Sequence, residues 1–138
     1  MNGPDFVDTN VLVYAYVFDD PRKQRAAQDL VERAMIERFV VSTQVLSELA
    51  STLLHKASPR ATPAAVIAIL DKLAPFRLIV PDAGLVRRAV EACASYGIHF
   101  YDGMIVAAAE RAGSQRIWSE DLNAGQEYFG AVVENPFR

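Results

Sequence analysis

Short apolar runs alternate with longer amphipathic segments along almost the whole chain, and this alternation limits the folds that the sequence can adopt. The intervening segments place apolar residues at helical spacing, as Ala27, Leu30, Val31 and Ala34 do. Alternating strands and helices are typical of an α/β protein with a parallel sheet. The predicted strands are 6–8, 39–41, 78–80 and 116–118, with 131–133 as a candidate last edge strand.

Prolines, a glycine and polar caps indicate where the helices begin and end. Pro75 is expected to end one helix because its ring and missing N–H disfavour continuation. Gly97 fits the C-terminal stop of a helix that Asp82 caps. No repeat, low-complexity tract or linker interrupts the 138 residues, so we expect residues 1–138 to form a single domain. The predicted helices start near Pro21, Gln44, Pro63, Asp82 and Asp102.

Composition excludes several classes of protein. Hydrophobic residues at 51% and charged residues at 22% argue against disorder, and a net charge of −3 offers no broad nucleic-acid-binding field. The single cysteine, Cys93, excludes an internal disulfide and a cysteine-based zinc site, and its apolar surroundings predict a small buried side chain. Neither a basic-plus-apolar leader at residues 1–5 nor an apolar run of ~18–20 residues is present. We therefore expect a cytoplasmic protein with no membrane association.

Four carboxylates, Asp8, Glu48, Asp102 and Asp121, lie at successive junctions between predicted strands and helices. In an open α/β sheet, the strand ends and their following loops converge on one crevice. Four acids brought together there would repel one another unless a hard cation held them. The arrangement therefore makes metal chemistry the first hypothesis.

Each acid also has an ordinary structural explanation. The triplet Asp8-Thr9-Asn10 is a common turn or cap pattern, and Asp121 also suits a turn. Asp102 suits a helix N-cap, and Glu48 could belong to a solvated helix face. The metal hypothesis depends on the joint placement of the four acids rather than on any single residue.

Divalent-metal chemistry requires this type of residue set. Magnesium and manganese prefer oxygen ligands, and such ions lower the pKa of a bound water and offset charge on a phosphoryl transition state. A histidine base is then optional, and we expect His99 to serve packing or surface hydrogen bonding. Chemistry through an aspartyl-phosphate would also use an acidic pocket. It usually needs a well-placed lysine, and no lysine follows Lys72.

Four segments, 6–12, 42–48, 101–109 and 118–122, together resemble the PIN-domain ribonucleases, and most closely the VapC toxins of toxin–antitoxin pairs. The resemblance extends from Asp5 to about Gln126, with the motifs in the family's order. It implies a PIN-like three-layer α/β/α fold with a central parallel sheet of four or five short strands.

The resemblance also assigns roles to individual residues. It implies that four acids are catalytic and bind Mg²⁺ or Mn²⁺, and that neighbouring polar side chains support them. Gly103 stands where relatives commonly carry alanine, and Glu120 would be the competing ligand if its turn were offset by one residue. The implied acids are Asp8, Glu48, Asp102 and Asp121, and the implied supporting residues are Thr9, Asn10 and Ser119.

The implied activity is that of an endoribonuclease, in which a metal-activated water hydrolyses phosphodiester bonds of RNA. The family's substrates are often structured RNAs with single-stranded loops. Its toxin members are usually homodimers that a cognate antitoxin protein inhibits. A solitary RNA-processing nuclease and an inactive PIN-like module that binds RNA or protein are the alternatives.

Basic and aromatic residues outside the acidic set are candidates for substrate contacts. RNA binding requires phosphate neutralisation, and single-stranded RNA is recognised partly by stacking. Ordinary solvated charges and core or dimer packing are the competing explanations. The basic candidates are Arg22, Lys23, Arg25, Lys56, Arg60, Arg111 and Arg116, and the aromatic candidates are Tyr14, Tyr16, Phe18 and Tyr101.

Overall fold

The computed structural model describes residues 3–138, in which a pair of helices follows each of the first three strands and three further strands complete the chain. The prediction that residues 1–5 carry no leader falls partly on Met1 and Asn2, which lie outside the described residues. The elements are β1 (Phe6–Val7), α1 (Thr9–Tyr16), α2 (Pro21–Glu37), β2 (Val40–Ser42), α3 (Thr43–His55), α4 (Pro63–Lys72), β3 (Arg77–Ile79), α5 (Ala83–Tyr96), α6 (Phe100–Arg111), β4 (Arg116–Trp118), β5 (Glu127–Tyr128) and β6 (Ala131–Glu134). In residues 3–138, no helix has the length and apolar character needed to span a membrane.

The strands form one sheet in the order β3-β2-β1-β4-β6-β5. All neighbouring pairs are parallel except β5 and β6, so the predicted α/β fold with a mostly parallel central sheet flanked by helices is confirmed. Five strands, β3, β2, β1, β4 and β6, are mutually parallel as expected, and β5 adds a sixth, antiparallel strand at the edge. Phe129 and Gly130, both with positive φ, join β5 to β6 as in a two-residue hairpin turn. The segment 131–133 is therefore an inner strand rather than the edge.

The centre of the sheet is short and completely buried. Phe6 pairs with Val40 on one side and with Ile117 on the other, and all three side chains are at most 1% exposed. Parallel neighbours bring the carboxyl ends of β1, β2 and β4 to one edge of the sheet. Asp8, the start of α3 and Ser119 therefore follow adjacent strands.

Two helix starts differ from the sequence prediction. Helix α1 was not predicted, because every position from Val11 to Tyr16 is apolar or aromatic and the segment gives little amphipathic signal. Asp8 caps it by accepting a hydrogen bond from the Thr9 N–H. Helix α6 begins earlier than expected, since His99 caps it through Nδ1, which accepts from the Tyr101 N–H. Asp102 therefore lies inside the first turn of α6 and is not its cap.

The other helix boundaries follow the sequence closely. Asp82 caps α5 by accepting a hydrogen bond from the Leu85 N–H, and Gly97 ends α5 with a φ of 65°. Helix α4 ends at Lys72, before Pro75. Ile67 of α4 is 59% exposed, whereas Val66 beside it is buried.

Helices α5 and α6 pack closely against each other. A Cβ on Gly103 would lie 2.5 Å from the backbone oxygen of Ala89, so only glycine permits this approach. Arg88 of α5 donates two hydrogen bonds of 2.8 Å to Glu110 of α6. Cys93, expected to be buried, is half-buried beside this contact and forms no disulfide. The contact fixes the N-terminal turn of α6 against its neighbour.

Candidate functional site

An acidic pocket with a volume of about 180 Å³ lies at the carboxyl edge of the central strands. All four acids singled out from the sequence line it, together with Thr9 and Asn10. Ser119 lies behind Asp8 and is completely buried. The lining residues are Asp8, Thr9, Asn10, Gln44, Glu48, Thr52, Lys56, Tyr101, Asp102, Ile105 and Asp121.

Asp8 forms the floor of this acidic pocket and is 7% exposed. Its Oδ1 accepts a hydrogen bond of 2.7 Å from the Thr9 N–H, and its Oδ2 accepts one of 2.9 Å from the Ser119 hydroxyl. Ser119 Oγ in turn accepts from the Leu122 N–H at 3.2 Å. The cap of α1 and the loop after β4 therefore hold the carboxylate in one orientation.

Burial raises the pKa of Asp8 to about 6, although its hydrogen bonds from Ser119 and Thr9 act in the opposite direction. The negative charges of Asp121 and Asp102 raise the pKa further. Mutual repulsion therefore adds to the cost of ionising a carboxylate that is removed from water. A bound cation would relieve both effects.

Glu48 stands on the exposed side of the pocket, on α3. Its Oε1 accepts hydrogen bonds from Gln44 Nε2 at 3.0 Å and from Thr9 Oγ1 at 3.3 Å. Gln44 Nε2 also donates to the carbonyl oxygen of Tyr101 at 3.3 Å, which ties α3 to the start of α6. The amide oxygen of Gln44 is buried without a hydrogen-bond partner.

Asp102 and Asp121 complete the acidic set. Burial raises the pKa of Asp102, and the nearby charge on His99 lowers it. Burial is also the main cause that raises the pKa of Asp121, followed by the charges of Asp102 and Glu120. Asn10 Nδ2 donates a short hydrogen bond to Asp121 Oδ2, so the residue predicted as a support contacts one of the acids directly.

Glu120 faces away from the pocket, towards α1 and α2. Its Oε1 accepts a hydrogen bond of 3.1 Å from the Tyr14 hydroxyl, and its Oε2 forms an ion pair with Lys23. Both carboxylate oxygens are therefore occupied outside the pocket. The structure brings Asp121 rather than Glu120 to the acidic set.

Most of the basic side chains considered for RNA contact have other partners. Arg22 Nη2 donates to the carbonyl oxygen of Phe137, Arg111 pairs with Asp82, and Arg116 pairs with Asp5 and Glu134. Lys56 is different, because within residues 3–138 it is the one basic side chain lining the pocket and has no ion pair. The aspartyl-phosphate alternative was disfavoured because no lysine follows Lys72 in the sequence. A lysine that comes earlier in the chain, Lys56, nevertheless lines the pocket.

Sequence reasoning gave Gln44 no role in the site. The signal that could have identified it is the helical spacing of Gln44, Glu48 and Thr52, which puts the three side chains in line on one helix face. In the structure, all three line the pocket from the same face of α3. The hydrogen bond from Gln44 to Glu48 joins two successive turns of that helix.

The donor chemistry of the pocket fits a hard divalent cation. Its donors are carboxylate, hydroxyl and amide oxygens, without cysteine or histidine. No three Asp, Glu, His or Cys side chains in the described chain lie close enough to hold one ion directly. Magnesium usually retains several waters and takes one or two carboxylates, whereas structural zinc and calcium sites use more direct protein ligands. The residues present therefore fit Mg²⁺ or Mn²⁺ bound partly through water.

Three solved structures show the same fold. VapC20 of Mycobacterium tuberculosis, a Sarcin-Ricin loop cleaving toxin, is 22% identical with a TM-score of 0.63, covering 85% of this chain and 89% of that one. FitAB bound to the IR36 DNA fragment is 16% identical with a TM-score of 0.66, and the match covers 97% of this chain and 96% of that one. VapBC2 of Rickettsia felis, bound to a promoter DNA fragment, is 18% identical with a TM-score of 0.65, and the match covers 95% of this chain and 97% of that one. At these identities the likeness establishes the fold alone.

The sequence itself identifies the family. Comparison with curated proteins gives no significant match. The family model of the PIN domain matches residues 6–126, a span that contains all four acids and the residues beside them. The resemblance inferred from the four motifs is thereby confirmed, and the chain belongs to the PIN domain family.

Proposed function

We propose that this protein is a divalent-metal-dependent endoribonuclease that uses Mg²⁺ or Mn²⁺. The observation that carries the proposal is the acidic pocket, in which four carboxylates converge and only one basic side chain, among the described residues, offsets their charge. Such a concentration of negative charge is unfavourable without a bound cation. Membership of the PIN domain family supports the same interpretation.

The four acids are the proposed metal ligands, directly or through water. Asp8 offers the most rigid position, because the Thr9 N–H and the Ser119 hydroxyl fix its two oxygens. Asn10 orients Asp121 from α1, and Gln44 orients Glu48 from α3. When bound, the cation would neutralise phosphate charge and lower the pKa of a water molecule.

The chain's own residues divide the remaining work. Lys56, at the end of α3, is placed to neutralise a non-bridging oxygen of the substrate phosphate. Because the pKa of Asp8 is about 6, its carboxylate is mostly ionised at neutral pH and available to a cation. Below that pH protonation competes with metal, so we expect RNA cleavage to weaken.

The proposed biological role is that of a toxin controlled by an antitoxin, with structured RNA containing single-stranded loops as the substrate. The structural neighbours support this role, since one is a Sarcin-Ricin loop cleaving toxin and another is the VapBC2 pair. A basic side chain of a cognate antitoxin would neutralise the acids and compete with metal. We propose that residues 1–138 act as one domain in the cytoplasm.

A homodimer is part of the proposal. Val86 and Val90 lie four residues apart on α5 and are both exposed, which gives this helix an apolar outer face. Leu78 on β3, one of the two edge strands of the sheet, and Val80 just after this strand are also exposed. Such apolar side chains are suited to burial against a second copy. Light scattering on the wild type and on Val90→Glu tests this part, and an unchanged monomer in both would contradict it.

The direct test is cleavage of RNA by the purified protein with Mg²⁺, with Mn²⁺ and with chelator. Asp8→Ala and Asp121→Ala are expected to abolish the cleavage seen with metal. Asp71→Ala is the matched control, because Asp71 is exposed on α4 and does not line the pocket. Cleavage that persists in chelator, or equally in the two pocket variants, would contradict the metal site.

A binding module without catalysis is the second candidate. The observation that favours it is the lack of three acidic or histidine side chains, among residues 3–138, close enough to share an ion directly. RNA binding without cleavage under any metal condition would support this candidate. Cleavage without any antitoxin gene nearby would instead support a solitary RNA-processing nuclease.

A further inference from the structure

A second groove, with a volume of about 360 Å³, adjoins the acidic pocket along the outer face of α3. Both cavities share three lining residues, Gln44, Glu48 and Tyr101. Ser47 and Ser51 complete the lining of the second groove, four residues apart on the same helix. A ligand that enters the acidic pocket can therefore extend into this groove without leaving the surface.

Tyr101 presents an aromatic ring at the boundary between the two cavities. The residue is 57% exposed, although its backbone belongs to the first turn of α6. Its ring stacks on the ring of His99, with centroids 5.8 Å apart and an interplanar angle of 28°. The edge contact with Phe100 and the hydrogen bond from Gln44 to the Tyr101 carbonyl oxygen hold the residue in place.

The other aromatic side chains considered for stacking do not share this position. The ring of Tyr14 packs against Phe137, and its hydroxyl binds Glu120. Phe18 is 75% exposed but lines neither cavity. Tyr101 is thus the one aromatic residue, among those considered, that borders the acidic pocket.

The charge of the groove indicates which part of a nucleic acid would occupy it. Glu48 is its one charged lining residue in the described chain, and this carboxylate would repel a phosphate. Lys56, the residue suited to a phosphate, lines the acidic pocket instead. The pocket, where Lys56 and a bound cation would offset the acids, therefore suits a phosphate, whereas the groove, which has no such positive charge among its lining residues, suits an uncharged base.

We propose that this groove is a nucleotide subsite in which one unpaired base, next to the phosphate that is cleaved, stacks on Tyr101. The proposal rests on the proposed function and assigns its preference for unpaired RNA to one side chain, Tyr101. Every base has a π face, so stacking on tyrosine tolerates any sequence. A base within a duplex is already stacked and is not available. The hydroxyls of Ser47 and Ser51 offer hydrogen bonds to the edge of the base or to the ribose.

The test is a binding titration with a short, unstructured RNA strand that carries a fluorescein label. Binding is measured by fluorescence anisotropy, with Ca²⁺ in place of Mg²⁺. Loss of one stacked base predicts that Tyr101→Ala weakens binding by about 5- to 150-fold. Tyr101→Phe keeps the ring and should recover most of the lost affinity. Phe18→Ala, which removes an exposed aromatic ring elsewhere, should bind like the wild type.

Two further arms make the result specific. An abasic substitution moved along the strand should remove the difference between wild type and Tyr101→Ala at one position only. The same strand annealed to its complement should bind both proteins equally. Equal binding of single-stranded RNA by wild type and Tyr101→Ala, or an equal loss for the duplex, would overturn the subsite.

Parallel cleavage assays with Mg²⁺ separate the subsite from the nuclease proposal. If the wild type cleaves RNA but Tyr101→Ala binds it normally, the subsite is wrong and the nuclease stands. If binding depends on Tyr101 but no metal supports cleavage, the nuclease is wrong and the subsite stands. Thermal unfolding of Tyr101→Ala provides the folding control, since an exposed ring contributes little to the core.

Discussion

The floor and the rim of the acidic pocket are built in different ways. The floor, Asp8 with Ser119, lies at the ends of two buried strands, and backbone or hydroxyl donors occupy both oxygens of Asp8. The rim, Glu48 with Asp121, is exposed, and side-chain amides from Gln44 and Asn10 hold it. Folding itself fixes the floor, whereas a bound ligand can still adjust the rim.

The floor and the rim also differ in the electrostatic cost of ionising their carboxylates. Burial raises the pKa of Asp8 to about 6, since water cannot solvate its charge. At the rim, Asp121 has its pKa raised mainly by partial burial, and solvent screens its charge more effectively. The floor therefore holds a metal ligand in a precise position but lowers the free energy of unfolding. The rim lowers it less.

The largest expected effect is on the rate of RNA cleavage, and it distinguishes the floor from the rim. Asp8→Asn should lower the RNA cleavage rate by at least about 100-fold, because several kcal/mol of charge stabilisation depend on a ligand that nothing can replace. Glu48→Gln should lower it by about tenfold, since water can take its place at the exposed rim. Single-turnover cleavage at saturating Mg²⁺ measures both, with Asp71→Asn as control. Equal losses for the two variants would remove the distinction between floor and rim.

The next effect concerns stability without metal. Folded Asp8 keeps its proton up to a pH of about 6, whereas an unfolded aspartate releases it near 3.8. The contribution of Asp8 to the free energy of unfolding should therefore be greatest below pH 3.8 and fall by about 3 kcal/mol as the pH rises through 6. Asp8→Asn should abolish this loss and stabilise the chelated protein at pH 7.5.

Urea unfolding in chelator at several pH values measures this difference between Asp8→Asn and wild type. Asp102→Asn and Asp121→Asn should stabilise in the same direction by smaller amounts, because both carboxyls are more exposed. A difference for Asp8→Asn that stays constant between pH 4 and pH 7 would show that its charge is not the cause. Lower stability of the Asp102 and Asp121 variants would indicate structural roles.

An intermediate effect is expected behind the floor. Ser119→Ala removes the hydroxyl that lowers the pKa of Asp8, so this pKa should rise further. Affinity for Mn²⁺ should fall by about 10- to 100-fold, as is typical when a group that orients a metal ligand is lost. Calorimetric titration should show a greater defect at pH 6.5 than at pH 8.

Ser114→Ala is the matched control for this substitution. Ser114 is also buried, but its hydroxyl has no hydrogen-bond partner among residues 3–138 and lies outside the pocket, so its loss should leave metal affinity unchanged. A defect in Ser119→Ala that does not vary with pH would indicate that the hydroxyl acts through packing rather than through the charge of Asp8.

The smallest effect tests the turn that follows β4. Glu120→Gln should leave metal affinity unchanged, because both oxygens of Glu120 already contact Tyr14 and Lys23. Asp121→Asn, the neighbouring substitution of the same chemical type, should weaken it about tenfold or more. The same Mn²⁺ titration compares the two variants. A greater loss of metal affinity in Glu120→Gln would show that Glu120, rather than Asp121, is the metal ligand.

Much of the pocket could be predicted because it depends on strand ends. Acids that follow buried parallel strands must meet at one edge, so Asp8 and Asp121 could be brought together from sequence alone. Their partners were harder to predict. The orientation of Glu120 depends on Tyr14 and Lys23, which are distant in sequence, and no local pattern encodes such contacts.

The errors also have physical causes. Helix α1 was missed since its apolar residues are buried and give no amphipathic signal. His99 caps α6 in place of the expected Asp102, because a histidine nitrogen can accept the same N–H bond as a carboxylate. The hairpin of β5 and β6 depends on two residues with positive φ, of which only Gly130 is a usual signal.

Gly103 has a consequence for the placement of a pocket acid. Glycine inside a helix costs about 1 kcal/mol relative to alanine, and here it allows α6 to lie directly against Ala89 of α5. Asp102 immediately precedes this contact, so the packing of α5 against α6 helps to position its carboxylate. A larger residue at position 103 would displace one helix from the other and move Asp102 relative to the rest of the pocket, although every donor would be unchanged. The geometry of the site therefore depends on a residue that has no side chain to contribute to it.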